Sequence, residues 1–134
     1  MIRWLPLLAA LLAAPAHAYT ASELLSDCQA AETVFASDRA ASPWDSAKAT
    51  RCVAYLEGFV DSYVVTRHLA DSVGVKLDAF CLPEPARDLR FRMVRAVLAQ
   101  FDRLPPNPDN TPATIVASAL SRAFPCSESL ERRK

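Results

Sequence analysis

Four cysteines, Cys28, Cys52, Cys81 and Cys126, all lie downstream of an N-terminal segment with the pattern of a secretory leader. Exported thiols meet an oxidising compartment, so four of them in a short chain read as two disulfides. That restricts the fold to a small scaffold held together by covalent links. No Cys-x-x-Cys pair occurs, which argues against a dithiol oxidoreductase.

The leader reading rests on three features. Arg3 supplies a positive start, Leu5 to Ala14 an apolar run, and Ala16-His17-Ala18 a small-x-small cleavage signal. The run is about ten residues long, well short of the roughly 20 that span a bilayer, and Pro6 and Pro15 interrupt it. The expected organisation is a leader over residues 1–18, cleaved after Ala18, and one domain over 19–134. No later stretch is apolar enough to span a membrane, so the expected product is soluble and periplasmic. About 116 residues would then remain, enough for one modest core. Without Arg3, fourteen basic side chains face fifteen acidic ones. Such a balance gives no general attraction to nucleic acid or anionic membrane. Arg87, Arg90, Arg92 and Arg95 form the one local basic excess, partly offset by Glu84, Asp88 and Asp102. They read as a solvated helix face, with a phosphate-binding patch as the minor alternative.

Only Gly58 and Gly74 occur in the chain, too few for the turns of an all-β protein of this size. The fold class is therefore all-α, a small four- to five-helix bundle. A first helix is expected to begin at Ser22 and to bury Leu24, Cys28, Ala31 and Phe35. A second starts at Ser42-Pro43, where a capping hydroxyl precedes a proline suited to the first turn, and runs to about Ser72. Cys52, Tyr55, Leu56, Phe59, Val60 and Tyr63 form its continuous apolar stripe. Gly58 within it reads either as a close approach by a neighbouring helix or as a tolerated weak spot. Gly74 ends this helix. A third is expected from about Glu84 to Leu104, with Leu89, Met93, Val94, Val97, Leu98 and Phe101 inward, before Pro105, Pro106 and Pro108 break it. Thr111-Pro112 opens the last helix, with Ile115, Val116, Ala119, Leu120 and Ala123 buried.

Four cysteines permit three pairings, and helix geometry favours one of them. If the first two helices form an antiparallel hairpin turning near Ala40, Cys28 and Cys52 lie equally far from the turn and face each other. Cys81 precedes the third helix and Cys126 follows the fourth, so their bridge would clamp the open end of a second hairpin.

Catalytic machinery is harder to find. His68 is the one histidine beyond the leader, which leaves a histidine-based metal site without partners, and no metal or cofactor is expected. Ser62, His68 and Asp71 have no nucleophile elbow or glycine-rich oxyanion loop around them. Glu57 and Asp61 share a helical face as acid and base carboxylates would. They equally suit a solvated face neutralised by Arg51 or Arg67, or the rim of a partner contact. The expectation is a protein that is not an enzyme.

The stretch Cys52-Val53-Ala54-Tyr55-Leu56-Glu57-Gly58-Phe59-Val60-Asp61, then Phe80-Cys81-Leu82-Pro83, then Ala119-Leu120 and Phe124-Pro125-Cys126, resembles the Rap/Tai family over Cys28 to Cys126. The resemblance implies a small exported helical immunity protein that binds and occludes a peptidoglycan amidase delivered by type VI secretion, often as a homodimer. The matching residues are scaffold positions, so they imply the fold and leave the contact residues open. Exposed irregular segments are the natural candidates: the Val73 to Phe80 connection with Gly74, Val75, Lys76 and Asp78, and the Asp102 to Asn110 loop with Arg103, Asn107 and Asp109. The alternative is a periplasmic chaperone or structural protein without a toxin partner, for which His68 offers little titratable machinery.

Overall fold

The computed structural model describes residues 18–37, 41–83, 88–104 and 110–126, and these form four α-helices. They are α1 (Ala21–Ala36), α2 (Pro43–Ser72), α3 (Leu89–Phe101) and α4 (Pro112–Ala123). Neither strand nor bridge occurs among the described residues. Residues 1–17 of the expected 1–18 leader, the expected hairpin turn, residues 84–87, and Asn107 and Asp109 lie outside them.

Local chemistry sets the helix ends. Thr20, not Ser22, caps α1: its hydroxyl accepts from the Glu23 amide at 3.3 Å while the Glu23 carboxylate accepts from the Thr20 amide at 2.8 Å. This reciprocal pair satisfies two amides that the first turn would leave without acceptors. Ser42 and Thr111 cap α2 and α4, each followed by a first-turn proline, as the sequence predicts. At the far end of α2, Gly74 adopts φ 79°. Its amide donates to Asp71 and that of Val75 to Ala70, which terminates the helix in a left-handed turn that glycine enters without steric cost.

The core lies between the two helical hairpins. Leu24, Cys28 and Ala31 of α1 meet Cys52 and Leu56 of α2, while Val94 and Val97 of α3 meet Val116 and Leu120 of α4. Both expected disulfides form. Cys28–Cys52 joins α1 to α2 inside the core, and Cys81–Cys126 ties the α2–α3 connection to the residues after α4. The Cys81 amide also donates to the Phe124 carbonyl at 2.8 Å.

One helix start and two side chains differ from expectation: α3 begins at Leu89 rather than about Glu84, because Asp88 before it adopts φ 56°. Phe35 is 45% exposed and packs edge-on against Phe91, ring centres 6.1 Å apart, because α1 ends there and its buried stripe stops at Ala31. Ala123, the last residue of α4, is exposed. Gly58 faces open space, since a Cβ built there would meet nothing within 4 Å. No neighbouring helix approaches it, so the glycine is a tolerated weak spot.

Candidate functional site

Helix length decides what this bundle displays. With 30 residues against 16, α2 is about 45 Å long and α1 about 24 Å, so the second half of α2 runs beyond its partner. Its inward side is covered by the chain returning from Gly74. Tyr63 holds that return: its hydroxyl donates to the Leu77 carbonyl and accepts from the Ala79 amide, both at 2.9 Å. Its ring stacks on buried Phe80 at 4.1 Å. Arg67 adds a looser ion pair to Asp78 at 3.9 Å.

The outward side of the same segment is bare. Val64, Val65 and Leu69 are all more than half exposed, Val73 is 75% exposed, and Val75 follows at the turn. Isolated exposed apolar residues are unremarkable, but five within twelve positions at one helix end make an exposed apolar patch. Of the expected contact residues, Gly74 and Val75 lie in this patch and Lys76 is exposed beside it. Asp78 is partly covered and engaged by Arg67. Arg103 is exposed just past α3. Sequence reasoning missed Val65 and Leu69, although both fall off the Cys52-to-Tyr63 stripe, which was the available signal.

A second feature is a groove of about 750 Å³ between the end of α1, the middle of α2 and the start of α3. Phe35, Val60, Leu82, Leu89, Phe91 and Met93 line it with apolar surface, and Glu57, Asp61, Asp88 and Arg90 supply its polar groups. Arg90 reaches across to Glu57, Nε to Oε1 at 2.6 Å, so neither Arg51 nor Arg67 neutralises that carboxylate. Arg51 instead serves Asp27 and Arg67 serves Asp78. Asp61 and Asp88 form no ion pair among the described residues. Asp88 precedes α3 in a left-handed backbone, φ 56°, and its side chain makes no capping hydrogen bond.

Several other charges join elements of the fold. Arg95 pairs with Glu32 at 3.2 Å and Arg92 lies over the Phe124 ring at 5.0 Å, so the basic face of α3 is anchored to its neighbours. Asp27, only 1% exposed, receives two donors from Arg51 and one from the Tyr19 hydroxyl. Burial, then donation to Asp27, pushes the Tyr19 phenol well above its usual range. His68 is exposed on α2. Among the described residues no group of three or more histidine, cysteine, aspartate or glutamate side chains is placed to hold a metal ion. No described helix is long and apolar enough to cross a membrane.

The described surface thus offers an exposed apolar helix end and a groove that carries both signs of charge. The family model described as Rap1a immunity proteins matches residues 20–126, which takes in all four helices and both disulfides. No match is found among curated proteins or solved structures.

Proposed function

Because the chain belongs to the Rap1a immunity protein family, whose role is protection against a secreted toxin, we propose that it acts in the periplasm by occluding a peptidoglycan amidase delivered by type VI secretion. The family match over residues 20–126 carries this reading. An exported site of action is supported by the leader pattern of residues 1–18 and by two disulfides that close without leaving a free cysteine. The toxin-facing surface is the outward side of α2 from Val64 to Val73 with the Gly74 turn. A rigid helix end presents apolar side chains at low ordering cost, since Tyr63 and the Cys81–Cys126 bridge fix what lies beneath them. The chain acts by binding, with no chemical step of its own.

The test uses the oxidised mature protein as bait for periplasmic proteins, followed by assay of whatever is retained. One stoichiometric amidase, inhibited by the protein and released by Val65→Glu with Leu69→Glu, is the expected result. Those exposed changes should move stability by no more than about 0.5 kcal/mol. Retention of many unrelated proteins, or of none with lytic activity, would overturn the immunity mechanism in favour of a chaperone role.

A further inference from the structure

The groove between α1, α2 and α3 is not explained by folding. Its aromatic wall, the Phe35–Phe91 pair, leaves Phe35 nearly half exposed, and among the described lining residues three carboxylates, Glu57, Asp61 and Asp88, face one cation, Arg90. Glu57 is already matched by Arg90 at 2.6 Å. Asp61 and Asp88, contributed by different elements, line the same apolar cleft without a cationic partner among the described residues.

We propose that this groove receives an arginine side chain, carried on an apolar-flanked segment of the cognate toxin. This deepens the immunity reading and rests on it. The chemistry selects arginine for two reasons. Its methylene stem can lie on Val60 and Leu89 while the head stays at the polar rim. Its planar guanidinium donates to carboxylates on more than one side and stacks on aromatic faces, which an ammonium does less well. Charge complementarity at such a rim governs encounter rate and partner choice, and predicts binding that weakens with salt. Asp61 also lies one turn before Val65, so the groove and the exposed end of α2 form adjoining parts of one surface.

Two measurements test this on the full mature, oxidised chain. The first is an NMR titration with an acetylated, amidated pentapeptide carrying arginine between two leucines, and with its neutral citrulline counterpart. Saturable shifts at Asp61, Leu89 and Arg90 that weaken about tenfold with citrulline, and vanish in the Asp61→Lys/Asp88→Lys double variant, are expected. Equal response to both peptides, or shifts confined to other surfaces, would overturn the groove assignment. The second compares wild type and double variant against the amidase retained by the bait, at low and high salt. The expected result is an affinity loss of about a hundredfold with a flattened salt dependence. Undiminished binding by the variant sinks the groove while leaving the immunity reading intact. Arginine-peptide binding by a protein that retains no toxin removes the immunity reading instead. Melting temperatures of Asp61→Asn and Asp88→Asn variants, expected near wild type, separate these effects from unfolding.

Discussion

Arg51 grips the buried carboxylate of Asp27 through two parallel donors, Nε to Oδ2 at 3.0 Å and Nη2 to Oδ1 at 2.8 Å. The pair joins α1 to α2 one residue from each end of the Cys28–Cys52 bridge and makes the charge of Asp27 tolerable in the core. Removing the cation alone strands a buried anion, whereas removing both removes the problem. Arg51→Met is therefore expected to lower the melting temperature more than the double variant Asp27→Leu/Arg51→Met. Denaturation of the three proteins side by side checks the order.

Tyr19 gives the molecule an alkaline weakness. Its phenol is raised in the folded state, by burial first and then by donation to Asp27, so folding favours the protonated form. That contribution is fully present below the unfolded value near pH 10 and is lost as pH rises above it. The melting temperature should fall from about pH 10 upward. Tyr19→Phe should flatten part of the slope, and the part left over belongs to Tyr55, whose phenol burial also raises.

Gly58 is expected to be improvable. It lies mid-helix with open space where a Cβ would sit, so Gly58→Ala should stabilise the fold by about 0.5–1 kcal/mol. Urea titration at constant m-value measures this.

Tyr63→Phe removes one hydroxyl that serves both Leu77 and Ala79. Two lost hydrogen bonds should cost about 1–2 kcal/mol, and amide exchange at Ala79 should accelerate well before the core opens.

The disulfides close loops with sequence separations of 24 and 45 residues. On the chain-entropy relation these stabilise by about 3.4 and about 4.0 kcal/mol. Cys28→Ala/Cys52→Ala and Cys81→Ala/Cys126→Ala should each melt far below wild type. The second pair should additionally free the connection that Tyr63 covers.

Much of this architecture was legible because its signals are local. Ser42-Pro43, Thr111-Pro112 and Gly74 mark helix ends through the conformations those residues prefer, and α2 runs from Pro43 to Ser72 as read. The pairing of cysteines followed from equal distances to a turn. Thr20 was passed over for Ser22, whose hydroxyl competes, although Thr20-x-x-Glu23 is itself a cap signature. Phe35 and Ala123 continue an apolar period past the point where their helices have neighbours. The Asp27–Arg51 and Glu57–Arg90 pairs were hidden for another reason: residues 24 and 33 positions apart meet only after the helices have chosen their rotations. The groove draws on three elements at once and has no signature in any single one.

The overhang of α2 has an evolutionary consequence. Its outward side chains are more than half exposed, so exchanging Val64, Val65, Leu69 or Val73 puts little folding energy at risk. A lineage whose toxin partner changes can alter these positions at little folding cost while the cross-linked half of the molecule stays as it is.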